Sequence, residues 1–425
     1  MSPTFRSLRV RNYRLFAGGQ MISNTGTWMQ RVAQDWLVLQ LSDNSAVALG
    51  ITTGLQFLPM LLFGLWGGLL ADRYPKRRLL LVTQSGMALQ AVLLGILAVT
   101  QVAAVWHVYA LASVLGLLTA LDNPVRQSFV VEIVGRDDLP NAVGLNSATF
   151  HGARVVGPAI AGLLINLIGT GPVFLINGIS YLAVLAGLCS MRASELRPSE
   201  PVERERGQLM EGLRYVRGRR DLLLPIVVIG FVGTFGMNFQ MTMALMAKSV
   251  FDKGAASYGL LGAALAVGSL AGALVGASRA RPDRRLLLGA AAAFGVLEVA
   301  CGLMPTYLTF MIMLVPTGLV LITLMTTANA TVQLAAGSRM RGRVMALYMT
   351  VLMGGTAFGA PVIGWLAAVA GPRWGLIGGG LVSTAATAVA AFVLVGRPRR
   401  SRLARGSRPE EKLAAAEAFD QARSA

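Results

Sequence analysis

Cysteine is nearly missing: Cys189 and Cys301 are the only two in 425 residues, both in apolar segments and without CxxC spacing. They read as inert core thiols, and a disulfide-stapled scaffold is excluded. Histidine is equally sparse, and His107 and His151 stand apart with no clustered ligand partners, so no metal site is expected. No G-x-x-x-x-G-K-[ST] loop is present, which argues against direct ATP hydrolysis. No nucleophile and base constellation stands out, so the chain is not expected to be an enzyme or to need a cofactor. Charge is scarce as well: 14% of residues are charged, against roughly 25% in an average soluble domain.

What is abundant is apolar sequence, with 54% hydrophobic residues and a mean hydropathy of +0.60. Runs of about 20 apolar residues, the length that crosses a bilayer core as a helix, recur along nearly the whole chain. They predict helices near 12–41, 46–71, 79–100, 106–133, 141–168 and 172–191, then near 221–247, 254–278, 286–304, 306–333, 344–369 and 374–396. The basic start followed by 12–41 is too long for a signal sequence and lacks a small-residue cleavage site, so it reads as a retained first helix.

The net charge of +18 does not point to nucleic acid, because all but three of the 38 cations (Arg31, Arg126 and Arg154, inside apolar spans) sit at helix ends, in short loops and in the tail. Arg6, Arg9, Arg11, Arg14, Arg73, Lys76, Arg77, Arg78, Arg136, Arg279, Arg281, Arg284, Arg285, Arg339, Arg341 and Arg343 fall on one side, with the 192–220 segment and the tail. The other side has only Lys248, Lys253 and Arg373. By the positive-inside rule both termini are cytoplasmic, which requires an even number of spans. Only four of the 38 cations are lysine, which reads as GC-rich bacterial coding and places the chain in a bacterial inner membrane as a multi-pass protein.

The resulting fold class is an all-α membrane protein with twelve transmembrane helices in two pseudo-symmetric six-helix bundles. Its expected parts are residues 1–191, a cytoplasmic linker at 192–220, residues 221–396, and a cytoplasmic tail at 397–425 with a possible short helix. Gly152, Gly157 and Gly162 in the fifth span match Gly354, Gly359 and Gly364 in the eleventh at one offset, with Pro158 and Pro361 nearby. Such repetition is the mark of transporters built from two parallel repeats.

The loop after the second span reads Gly68-Leu-Leu-Ala-Asp72-Arg73-Tyr-Pro75-Lys76-Arg77-Arg78. A small residue there lets helices approach, and Asp72 can accept hydrogen bonds from a neighbouring helix N-terminus or a basic partner. Gly68, Asp72, Arg73 and Arg77 are therefore candidates for a cytoplasmic gate; a plain topology loop would explain the cations but not the Gly-x-x-x-Asp-Arg spacing. This loop resembles the cytoplasmic signature of the major facilitator superfamily, with Pro75 where that pattern has a second glycine. Gly152-Ala-Arg-Val-Val-Gly157-Pro158-Ala-Ile-Ala-Gly162 resembles the Gly-Pro helix-bend motif of its drug antiporters. With Arg341-Gly-Arg-Val-Met-Ala, it resembles the exporter branch that includes the enterobactin exporter and macrolide-efflux proteins.

Ionisable residues inside spans are costly unless paired or wetted, so they point to mechanism. Arg31 and Asp35, and Asp122 and Arg126, are each four apart on one helical face. Either pair could be a proton-coupling group or a self-neutralising structural pair. Burial disfavours a carboxylate and a nearby cation favours it, so a changing Arg31 contact would let Asp35 take and release a proton. The resemblance implies that the first, fourth, seventh and tenth helices line a central cavity, which would hold these four residues. Arg154, Asn238, Gln240, Asn329 and Gln333 are further substrate-cavity candidates. Glu298 would fall on a peripheral helix, and Glu132 near the cytoplasmic surface.

These readings predict a monomeric secondary transporter that exports an amphipathic small molecule, drug-like or a siderophore, by proton antiport and alternating access. Its partners would be the substrate, protons and the lipid bilayer, with no nucleic acid. A proton-coupled nutrient uptake symporter and a transport-inactive membrane scaffold or sensor are the alternatives.

Overall fold

A computed structural model describes residues 3–197, 208–277, 283–337 and 340–395. A backbone removed from water must satisfy its N–H and C=O groups within its own segment, so the apolar runs become helices. They are α1 (Arg11–Leu41), α2 (Ala46–Arg73), α3 (Lys76–Val99), α4 (Val105–Gly135), α5 (Asp137–Ile168) and α6 (Thr170–Cys189). After the short α7 (Gln208–Arg217) come α8 (Arg220–Val250), α9 (Ala255–Ala277), α10 (Arg284–Leu303), α11 (Tyr307–Ala335), α12 (Arg341–Ala370) and α13 (Pro372–Val395). Among the described residues there is no strand.

Each predicted helix coincides with an observed one. Eleven described helices, all but α1 and α7, are long and apolar enough to cross a membrane. The 31-residue α1 spans about 46 Å at about 1.5 Å per residue, so length is not its deficit. It is too polar by composition, because Gln20, Asn24, Thr27, Arg31 and Gln34 form a stripe at alternating steps of four and three that faces protein interior. The linker is also more structured than its charge implies: α7 packs on α12, where Arg343 pairs with Glu211. The tail from 397 lies outside the described residues.

Between α4 and α5 the backbone breaks at Gly135, with φ of +73° and ψ of −178°. That conformation is open to glycine and strained for other residues. Gly135→Ala should therefore destabilise the protein by about 1 to 3 kcal/mol, read as a lowered Tm of the purified protein. An unchanged Tm would contradict this.

The basic end of the first six helices is pinned by polar contacts. Lys76 pairs with Glu132 at 2.5 Å and Arg6 with Asp138 at 2.6 Å. Arg77 donates to the Leu188 and Cys189 carbonyls at 2.7 and 2.9 Å, closing the C-terminus of α6. At the opposite end Arg373 closes α10 by donating to the Gly302 and Met304 carbonyls.

The first half of the chain (α1–α6) meets the second (α8–α13) mainly along α2 with α12 and α5 with α9. Glycines allow the contact. A Cβ on Gly162 would lie 2.7 Å from the Ala255 carbonyl, and one on Gly364 2.6 Å from the Ala46 carbonyl. Gly157 and Gly359 likewise abut α1 and α8, at Thr25–Trp28 and Thr234. Glycines one offset apart thus do the same packing in the two halves. These close approaches lie away from the basic end. Towards the basic end a Cβ on Gly64, Gly144, Gly152 or Gly342 would meet no atom within 4 Å, so these glycines make no such close approach.

Candidate functional site

Between the halves lies a cavity of about 450 Å³, closed at the end where α2 meets α12 and α5 meets α9. Its two walls differ in chemistry. The first half supplies all five of its charged residues, Arg31, Asp35, Asp122, Arg126 and Arg154. The second half supplies no charged residue among those described: beside Asn238, Gln240, Tyr258 and Thr356 it presents Met237, Phe239, Met241, Met243, Leu321, Leu352 and Met353, a methionine-rich surface whose flexible thioethers adapt to different shapes.

Helix α8 is broken inside this wall. A π-turn at Val232–Gly236 ends at Met237, and Asn238 has φ of −89° and ψ of 22° before the helix resumes at Phe239. The Asn238 amide donates to the Thr234 and Phe235 carbonyls at 2.9 and 3.2 Å, satisfying groups that the break frees. Irregular backbone at membrane depth is tolerated where it lines a cavity.

Asp122 and Arg126 form an ion pair at 3.2 Å. Thr83 and Gln84 each donate to Asp122 at 2.8 Å, and Arg126 donates to Gln20 at 3.0 Å and Asn123 at 2.6 Å. Asp122 is buried while Arg126 is a quarter exposed to the cavity, and removing Arg126's partner strands its charge. Asp122→Ala should lower stability by about 2 to 3 kcal/mol and reduce the folded yield. A variant as stable as the parent would show that the network is dispensable.

Arg31 and Asp35 behave differently, and the possible local pair between them does not form. Arg31 lies over the Trp28 ring, with Cζ 4.8 Å from the centroid. Asp35 turns the other way and accepts a 2.7 Å hydrogen bond from the Tyr258 hydroxyl of α9, whose oxygen also lies 3.1 Å from the Gln240 carbonyl. Asp35 thereby bridges the two halves at the closed end of the cavity. Trp36 stacks on Tyr258 at 6.3 Å, and Lys248 lies 5.6 Å from the Trp36 centroid.

Of the other sequence candidates, Arg154, Asn238 and Gln240 line the cavity, but Asn329 and Gln333 do not. The Gln333 amide donates to Asn329 at 2.6 Å in an exposed contact, beyond Leu321, which is the α11 residue on the cavity wall. The helix continues past the cavity towards the basic end, and carries both residues with it. Within the Gly-Pro motif, Gly162 and Pro158 meet α9, Gly157 packs within the first half, and Gly152 faces open space. The motif is therefore not wholly an interface between the halves. Arg73 is exposed and Arg77 caps α6, while the surroundings of Gly68 and of the Asp72 side chain lie outside what the structure describes. Glu298 is buried away from the cavity, beside Gly236 and Gly379.

Sequence reasoning missed Trp28, Tyr258 and the glutamines Gln20, Gln34 and Gln56. The α1 residues were recoverable from their helical spacing. Tyr258 had no local signal, since its partner lies 223 residues away.

Known proteins place this architecture. The chain is 29% identical over 403 residues to the multidrug efflux pump Tap of Mycolicibacterium fortuitum, covering 90% of this chain and 91% of that one. It is 25% identical to the enterobactin exporter EntS of Shigella boydii, covering 79% and 80%. A stretch of 174 residues is 32% identical to the staphyloferrin A transporter of Staphylococcus aureus, covering 40% of this chain and 44% of that protein. In fold it is similar to a bacterial homolog of the lysosomal transporter Spinster, solved inward-facing and unoccupied. The TM-score there is 0.68 at 17% identity, covering 93% of this chain and 99% of that one. A POT family transporter gives a TM-score of 0.72 at 11% identity, covering 89% and 95%. Residues 2–423 match the transmembrane secretion effector family, and the chain therefore belongs to that family of major facilitator superfamily transporters.

Proposed function

We propose that this transporter exports an amphipathic small molecule by proton antiport, with two six-helix bundles, α1–α6 and α8–α13, alternating access around the central cavity. The reading takes α1 as the twelfth span and both termini as cytoplasmic, so the cavity opens to the cytoplasm in the form described above. It works as a monomer in a bacterial inner membrane. The carrying observation is the cavity itself, with a charged wall on one half, a methionine-rich wall on the other, and a titratable bridge between Asp35 and Tyr258 at its closed end.

In this mechanism an ionised Asp35 holds Tyr258 through a charge-assisted hydrogen bond and keeps the outer end shut. Opening outward breaks the contact and exposes Asp35 to a proton; inward return and proton loss remake it. Differential affinity of the two states for substrate and proton is what couples their movements. The exporters among its relatives support this direction of transport. Asp72 retains its proposed part in closing the cytoplasmic mouth.

The test is susceptibility of an efflux-deficient host to a compound panel, with the chain and with a vector control. Raised tolerance to some amphipathic compounds is expected. Unchanged tolerance throughout, together with faster uptake of a nutrient, would replace export by symport.

A further inference from the structure

Among the described residues, the cavity's three arginines are not equivalent. Arg126 is neutralised by Asp122 and surrounded by acceptors. Arg31 and Arg154 have neither an ion pair nor a hydrogen bond; instead their guanidinium groups lie 4.8 and 5.5 Å from the centroid of the same Trp28 ring. Asp35, the carboxylate one turn from Arg31, is engaged by Tyr258 across the cavity. Two cations thus share one indole without a carboxylate between them.

Two guanidiniums at membrane depth with neither an ion pair nor a hydrogen bond carry a high desolvation cost that a bound anion would offset, Asp35 acting on Arg31 only through space. Guanidinium is also the group best shaped for paired hydrogen bonds to a carboxylate or a similar planar oxyanion. Trp28 fixes both arginines through cation–π contact and offers a flat apolar surface, with Phe150 edge-on at 5.8 Å.

From this geometry we infer that Arg31, Arg154 and Trp28 form an anion-binding subsite, and that the substrate class is amphipathic molecules bearing a carboxylate or comparable oxyanion on an aromatic or apolar body. The anionic group lies between the two arginines, and the apolar body extends to the methionine-rich wall contributed by the second half. The inference rests on the cavity being the transport site, as proposed above, and narrows what that site accepts.

Three ligands on one naphthyl body test it, the near-isosteric 2-naphthoate and 2-naphthamide and the cationic 2-naphthylmethylammonium, in equilibrium binding to the purified full-length chain in nanodiscs. Naphthoate should bind about tenfold or more tighter than the amide, the size expected for a hydrogen bond to a charged group, with the ammonium weakest. Arg31→Gln and Arg154→Gln should each remove most of that preference. Arg31→Lys and Arg154→Lys should keep part of it, which separates lost charge from lost folding. Naphthoate binding no better than the amide, including no binding by either, would overturn the subsite, as would a preference that survives both glutamine variants. In proteoliposomes of the same chain, export of cations with exclusion of anions would overturn the subsite and leave export standing. Absence of any gradient-driven flux would remove the export reading instead.

Discussion

Asp35→Asn should abolish proton-driven transport, bringing gradient-dependent flux in proteoliposomes to the level of empty liposomes, while the protein still folds and binds substrate. The amide keeps an acceptor for the Tyr258 hydroxyl, which donates at 2.7 Å in the parent, so the contact across the halves survives in neutral form. It can no longer take or release a proton. Folding should survive too, because Arg31 rests on Trp28 rather than on Asp35 and loses no ion-pair partner. Tyr258→Phe is the complementary change: it keeps the stacking on Trp36 but removes the donor, and should leave the outer end less firmly closed. If the Asn variant retained gradient-driven flux with the parent's pH dependence, Asp35 would not be the coupling group. Asp122 would then be the remaining carboxylate in the cavity.

Gly162→Val and Gly364→Val should each block transport by preventing closure at the end remote from the basic loops. A Cβ on Gly162 meets the Ala255 carbonyl at 2.7 Å and the Ala256 Cα at 3.0 Å; one on Gly364 meets the Ala46 carbonyl at 2.6 Å and the Gly50 Cα at 3.1 Å. These neighbours are backbone atoms, which cannot swing aside. Overpacking a close contact costs about 1 to 3 kcal/mol, enough to shift a two-state equilibrium by about 5- to 150-fold. The population should move towards the state open at that end. Labelling of a single cysteine placed on this face, in a background lacking Cys189 and Cys301, should accelerate in both variants. Unchanged labelling and transport would mean that this seam is not part of a moving gate.

The sequence revealed the helices because a bilayer imposes a coarse rule, about 20 apolar residues between charged breaks, that tertiary contacts do not modify. Every predicted helix was found, with ends shifted by four residues or fewer. The paired glycines at a constant offset were equally legible, since Gly162 and Gly364 fill corresponding places in the two halves. The cavity's charges were legible because buried ions are rare enough to stand out. Their partners were not. Spacing of four suggested two pairs; Asp122 and Arg126 form one, whereas the rings of Trp28 and Tyr258 draw Arg31 and Asp35 apart. Asn329 and Gln333 show the complementary limit: periodicity assigns a polar residue to a helix but not to a depth along the cavity.

The most direct test of proton-coupled export reconstitutes the chain in proteoliposomes with a trapped pH indicator and adds a transported compound identified by the susceptibility panel. Antiport predicts that compound entering on the cytoplasmic side drives protons across the membrane in the opposite direction, in the parent and not in Asp35→Asn. Compound flux with no accompanying proton movement, or with protons moving in the same direction, would contradict it.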